Sequence, residues 1–440
     1  MSGCKWEAAL TEAVDRRAKA IVGLLQSLIA IPTVTDDGPQ GPYLEMAISL
    51  GERLRKAGLE TCLAGTSDTK LNTVGWRTFG AAERASRAVP GLPQVHVVPS
   101  VLFLSHVDVL PTERSAWSHD PFKGEVDGGM IYGLGSCDMK AGLAASVAAA
   151  EILSEVTPDL AKLGFLPEGK VTVAATVDEE SGGADGIGFL ADRRADLLRA
   201  DYAVVPEPST LNHIWVGAKG ALFLDIDIRG RATHSGRPWL GANPITMAFE
   251  LMRRLEGLAA ADDHDHPILR HLGPGAGRTH FNVSRIRAGL KDNLIPPTCN
   301  LGVSYRMSPG RDTALYLSQV ETVIREMSEA DPTFEATVTP LVRAEPSEVA
   351  SDSPVVTRLR EAAGAVAGLT PAPGALLGFS DMRFLTATGL CPQTCHYGPG
   401  ALEPIGSPDE AVAVSELIAF TKIYALFAAR VLHQGEPEAV

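Results

Sequence analysis

Residues 101–142, VLFLSHVDVLPTERSAWSHDPFKGEVDGGMIYGLGSCDMKAG, decide how this chain is read. They open as an almost wholly apolar run, which reads as a buried strand, and close at a helix start. His106 and Asp108 stand at the strand end and Asp138 at the helix end. Strand side chains alternate, so His106 and Asp108 share a face. The aspartate can then orient the imidazole and leave its other nitrogen for a divalent cation. Asp138 follows the Gly133-Leu134-Gly135 turn and precedes an Ala-rich helix, so its carboxylate would face the same strand ends. Taken singly, the blander reading is a satisfied core histidine and a helix N-cap.

Two further stretches widen the pattern. Residues 170–183, KVTVAATVDEESGG, form a second apolar strand that ends in Asp178-Glu179-Glu180. Such a pair of glutamates is either a solvated turn or a division of labour, one binding metal and the other serving as general base. Residues 201–209, DYAVVPEPS, place Glu207 just past a third apolar run. His106, Asp138, Glu180 and Glu207 would thus meet at one edge of a sheet, where open α/β sheets bind ligands.

HVDV, the segment from Gly133 to Gly142, VDEESGG and VPEPS resemble, in order and spacing, a family of metal-dependent hydrolases. That family includes succinyl-diaminopimelate desuccinylase, acetylornithine deacetylase, aminoacylase and glutamate carboxypeptidase. The resemblance runs from about residue 20 to about residue 425. It implies one metal held by His106, Asp138 and Glu207, with Asp138 bridging to a second metal held by Glu180 and a late histidine. Glu179 would be the general base, and Asp108 would orient His106. The departure is at the late histidine. After Gly398-Pro399-Gly400 the chain reads ALEPIGSPDEAV, and Gly406 stands where the resemblance calls for the ligand. Either His396 substitutes from before the turn, or one strong site remains, and the single site is the favoured reading. Mixed oxygen and nitrogen ligands suit Zn, Mn or Co.

The length of 440 residues exceeds a usual single core, so two domains are expected. Alternating apolar runs and helices over the first two hundred or so residues predict a helix-covered mixed α/β sheet. Helices are expected from about Trp6 to Ile31, Tyr43 to Ala57, past Asp138 to Val156, and Ala184 to Leu198. Residues 80–94, rich in Ala, Arg and Pro, read as an exposed loop. After Pro208 the texture changes to strands at 214–230, 279–287 and 298–305, with helices at 243–258 and 313–329. Two helices on a four-stranded antiparallel sheet is the natural reconstruction. It resembles the family's inserted α+β lid and dimerisation domain, expected at 214–335, with the catalytic domain at 1–213 and 336–440.

Within RATHSGRPWLGANPI, the resemblance makes His234 a donor to the oxyanion in a partner subunit. It likewise makes Asn293, Arg306, Ser380 and Arg383 contacts to a substrate carboxylate, which guanidinium groups bind through paired hydrogen bonds. The run DDHDH, residues 262–266, reads as a solvated loop outside the motifs. The six cysteines lack CxxC spacing and read as reduced thiols; Cys137 and Cys395 adjoin candidate ligands, though small buried residues are the simpler reading. A net charge of -14 argues against nucleic acid as partner. Neither a membrane span nor a signal peptide is legible, so a cytoplasmic protein is expected.

The leading expectation is hydrolysis of a carbon-nitrogen bond in a small carboxylate substrate, an N-acyl amino acid or short peptide, by a homodimer or higher oligomer. A second reading is an aromatic aminohydrolase releasing ammonia from an activated ring such as 5-nitroanthranilate, where ring substituents accept the charge and one metal suffices. A third is a non-catalytic protein that kept the fold for binding.

Overall fold

A computed structural model describes residues 4–35, 42–80, 99–403 and 405–433. The chain divides into two compact units. The first comprises Met1–Val216, Val349–Pro373 and Phe384–Val440, and the second Gly217–Glu348 and Gly374–Arg383.

In the first unit the central strands are Gly169–Thr176, Ser100–His106, Tyr202–Pro208 and Thr394–Gly398, side by side in that order and all parallel. The hairpin of Glu60–Gly65 and Leu71–Phe79 extends the sheet antiparallel beside Gly169–Thr176. Every residue of Ser100–His106 is buried, as a strand covered on both faces requires. Its start is pinned. Asp201 Oδ2 accepts from the Ser100 amide and hydroxyl, each at 2.8 Å. From that point Val101 pairs with Tyr202, and Ser100 with Lys170.

The helix Lys140–Ala161 lies against these strands and is buried at every residue from Lys140 to Leu153. Its alanines let it sit close. A Cβ on Gly142 would lie 2.3 Å from the Pro206 carbonyl oxygen, so this glycine sets the distance between the helix after Asp138 and the strand bearing Glu207. The long helix expected before Pro32 is instead Lys5–Arg16 and Ala18–Ile29, broken at Arg17. Both pieces touch the Lys140–Ala161 helix, the first burying Leu10 and Val14 and the second Leu25 and Leu28. The helix expected over 184–198 is three short turns, because Gly186 passes so near Val177 that a Cβ would sit 1.9 Å from its carbonyl oxygen. From residue 81 on, the expected loop at 80–94 lies outside the described residues.

The second unit is a four-stranded antiparallel sheet in the order His280–Ala288, Thr298–Met307, Gly220–Arg229, Glu335–Ala344. Helices Pro244–Ala261 and Thr313–Ala330 cover one face, capped by the Asn243 and Asp312 side chains. Leu222, Leu224, Ile226, Ile228 and Tyr305 alternate inward against Leu251, Leu255 and Val320. The unit runs to Glu348 where 335 was expected, because the strand Glu335–Ala344 completes the sheet beside Gly220–Arg229. The segment Gly374–Arg383 also belongs to it rather than to the first unit. Among the described residues no helix is long and apolar enough to cross a membrane.

Alanine is ordinarily the better helix residue, yet Gly142→Ala should destabilise the protein by about 1–3 kcal/mol, because the added methyl overpacks against Pro206. A thermal melt of the variant checks this, and a raised Tm would contradict it.

Candidate metal centre

Parallel register brings the ends of three neighbouring strands together. His106 ends one, Glu207 lies near the end of the next, and Glu179 and Glu180 follow the third. Asp138 comes from the turn that opens the Lys140–Ala161 helix. His106, Asp138 and Glu207 each offer one ligand atom, and these atoms all lie within 4.8 Å of one another. His106 Nε2 is 3.1 Å from Asp138 Oδ1 and 3.9 Å from Glu207 Oε1. Nδ1 lies 3.0 Å from the Asp108 carbonyl oxygen. A proton on Nδ1 donated to that carbonyl directs the Nε2 lone pair at the two carboxylates, which is the tautomer a cation needs. One imidazole and two carboxylates, buried or nearly so, fit a divalent transition-metal ion.

Asp108 faces His106 twice, its backbone carbonyl 3.0 Å and its carboxylate 3.6 Å from Nδ1. That carboxylate also accepts the amides of Glu179 at 3.2 Å and Glu180 at 3.0 Å. Asp108 therefore couples the histidine to the turn that carries the candidate base. Glu179 is buried, at 7% exposure, which suits a proton carrier shielded from bulk water.

Glu410, which the sequence reading did not single out, is the fourth buried carboxyl group here. Its Oε1 accepts from the amides of Cys137 at 2.7 Å and Asp138 at 3.2 Å, fixing the turn that carries Asp138. Burial pushes its pKa up to about 7 against the backbone donors. The Pro408-Asp409-Glu410 segment after Gly406 was its only signal in the sequence. Burial, and next the Asp138 carboxylate, push Glu180 up to about 8. Burial lowers the His106 pKa, but Asp108 and Asp138 outweigh it and hold the ring well above the usual imidazole value.

Glu180 and His396 do not join the three-residue cluster found among the described residues. His396 is wholly buried in the strand Thr394–Gly398, with Nδ1 3.1 Å from the Trp215 carbonyl oxygen, and burial takes its pKa down to about 4. That is the setting of a core histidine rather than a relocated ligand. Gly406 occupies a left-handed turn (φ +69°) beside Leu110. Cys137 and Cys395 are buried free thiols, and Cys137 Sγ lies 3.2 Å from the Ala411 carbonyl oxygen.

The other candidates lie in the second unit. His234 is exposed on a two-stranded ribbon with Leu294–Ile295, its Nδ1 accepting from the Gly236 amide at 3.1 Å. Asn293 is exposed, and its carbonyl accepts from the Ser235 amide. The Arg306 guanidinium lies 4.8 Å from the Phe223 ring centroid and 5.9 Å from that of Phe379. Arg383 lies 5.0 Å from Phe379 and donates to the carbonyl of buried Ser380 at 2.6 Å. The loop containing DDHDH is more than solvated surface, because Asp262 takes hydrogen bonds from Arg311, Tyr316 and Thr279.

The model of peptidase family M20/M25/M40 matches residues 102–430. Succinyl-diaminopimelate desuccinylase of Methylobacterium radiotolerans is 30% identical over 365 residues, spanning 78% of this chain and 86% of that protein. The protein of the same description from Halorhodospira halophila is 30% identical, over 92% of this chain and 96% of its own length. Among solved structures, an M20-family metallo-carboxypeptidase from Sulfolobus solfataricus superposes with a TM-score of 0.72 at 17% identity, covering 93% of this chain and 98% of that one. Human carnosine dipeptidase 1 gives 0.68 at 16% identity, covering 97% and 99%.

Because the neighbouring carboxylates hold the His106 ring well above the usual imidazole value, metal binding near pH 7 should release a proton from it. Apparent affinity should fall by about tenfold per pH unit for each proton displaced as the pH drops. Titration calorimetry with Zn or Mn, in buffers of different ionisation enthalpy, measures the release; buffer-independent heats would contradict it.

Proposed function

Because the chain belongs to peptidase family M20/M25/M40, whose members are metal-dependent hydrolases acting on carbon-nitrogen bonds, we propose that its substrate is an N-acyl amino acid carrying a carboxylate. The observation that carries this reading is the His106, Asp138 and Glu207 cluster beside a Glu179 turn anchored through Asp108. The desuccinylase relatives favour a succinyl or similar acyl group.

A divalent ion bound by His106, Asp138 and Glu207 would supply Lewis acidity, lowering the pKa of a water and drawing charge from a carbonyl. Glu179 would take the proton from the attacking water and return it to the departing nitrogen. Asp108 serves this transfer by holding the Glu179 and Glu180 amides. Arg306, with Phe223 and Phe379 beside it, and Arg383 carry the positive charge suited to a substrate carboxylate, with Asn293 and Ser380 as further polar contacts. His234 would donate to the oxyanion from a partner copy. Trp239, Leu240, Leu290 and Leu294, all exposed near the His234 ribbon, are the apolar surface that a homodimer or higher oligomer would cover.

Gly406 in place of a late histidine supports one strong metal site per chain, whether Zn, Mn or Co. This same observation favours a second reading, the aromatic aminohydrolase, in which ring substituents accept the developing charge. A cytoplasmic setting is proposed with either reaction.

A panel of N-succinyl and N-acetyl amino acids beside 5-nitroanthranilate, assayed with added Mn or Zn, tests the choice. Turnover confined to acylated substrates supports the amide reading, and ammonia release from the nitroaromatic alone overturns it. In the same assay Glu179→Gln should lower kcat by about 10²–10⁴-fold while metal content per chain stays unchanged. Trp239→Glu should shift the protein toward monomer in analytical ultracentrifugation and lower kcat together with it. An active monomer would remove His234 of a neighbouring copy from the reaction.

A further inference from the structure

The turn bearing Glu179 and Glu180 is gripped from two sides. Asp108, at the end of the His106 strand, takes its two amides. The opposite grip comes from the start of the strand Leu71–Phe79 and the residue before it. Lys70 Nζ donates to Asp178 Oδ1 and to Asp185 Oδ2, each at 3.0 Å. Asn72 Oδ1 accepts from the Val177 amide at 3.0 Å, while its Nδ2 donates to the Asp185 carbonyl at 3.0 Å. Within the segment, Asp178 Oδ2 accepts from the Asp185 amide at 3.0 Å, and the Asp178 carbonyl accepts from the Gly183 amide at 2.6 Å.

These bonds close residues 177–185 into a ring fastened at both ends to one point on the neighbouring strand. Asp178 adopts a left-handed backbone (φ +74°), which an L residue keeps only where its surroundings over-determine it. Its two carboxylate oxygens are engaged by Lys70 and by the Asp185 amide, so the side chain next to Glu179 acts as a tether. Asn72 is fully buried and supports the fold as well as the turn. Lys70 keeps 21% side-chain exposure, so its ammonium can be removed with little disturbance to the core.

We infer that Lys70 is a positioning residue for the hydrolysis, holding through Asp178 and Asp185 the turn that aims the Glu179 carboxylate. This rests on the reading of Glu179 as the base. Residues that orient a metal site or its base from outside are commonly worth 10–100-fold in activity, and small misplacements of a reacting group have effects of that size. A residue that merely stabilises the fold would lower the amount of active protein and leave the turnover of the remainder unchanged.

The test uses the metal-loaded full chain and an N-succinyl amino acid from the panel. Lys70→Met should lower kcat about 10–100-fold with KM nearly unchanged and the metal content of the parent, and Lys70→Arg should restore most of the loss. In a Glu179→Gln background, Lys70→Met should add almost no further loss, because its effect is exerted through Glu179. Hydrogen exchange of the Glu179 and Glu180 amides should quicken in Lys70→Met, with or without substrate. A Lys70→Met enzyme with parental kcat beside an inactive Glu179→Gln enzyme overturns the inference and leaves the base assignment standing. Undiminished activity in Glu179→Gln overturns both. An equal loss from Lys70→Met in either background, with no change in exchange at 179 and 180, also overturns the inference.

Discussion

Placing several carboxyl groups side by side under cover of a sheet costs several kcal/mol per ion unless each is matched by donors or by opposite charge. The first unit meets that constraint with its own backbone. Asp108 is wrapped by the amides of Glu179 and Glu180, and Glu410 by those of Cys137 and Asp138. Each turn that presents a candidate ligand or base is therefore also the solvation shell of a neighbouring carboxylate. The carboxylates of Asp138 and Glu207 face the His106 ring, and a cation there would add to the electrostatic balance.

This arrangement explains why local features that look expendable converge on the same place. The all-buried strand Ser100–His106, the alanine-rich helix lying close to it and the glycine at 142 act together to bring Asp138 beside Glu207. Fold and site are one problem here, because packing distances in the core set the distances among His106, Asp138 and Glu207 at its edge.

Much of this could be read from the chain. Apolar runs ending near His106, Glu180 and Glu207 pointed to buried strands of a mixed sheet, since a strand covered on both faces is apolar throughout and its polar residues stand at its end. The second unit was legible from its alternation, although its last strand, Glu335–Ala344, was overlooked. That strand alternates with mostly exposed side chains, so hydrophobic pattern gives it away poorly. The break at Arg17 and the short turns over 184–198 depend on contacts with the Lys140–Ala161 helix and with Val177, which no local window contains. The same limit hid Lys70 and Glu410. Lys70 lies 108 residues from Asp178, and Glu410 lies 272 from Asp138, so neither pairing has a spacing signature. The added bonds from the Asp108 carboxylate to the Glu179 and Glu180 amides required atomic positions.

The Ser100–Asp201 pin carries one further implication. His106 is five residues beyond Val101, and Glu207 is five beyond its partner Tyr202. Likewise Ser100 pairs with Lys170 and His106 with Thr176, an equal count of six on both strands. The strands act as matched rulers with a common zero. Their apolar side chains are interchangeable with others of similar volume, but their lengths are not. One residue inserted or deleted would turn His106 or Glu207 to the opposite face of the sheet. Across divergent sequences, this region should then tolerate substitution freely and almost never a change in length.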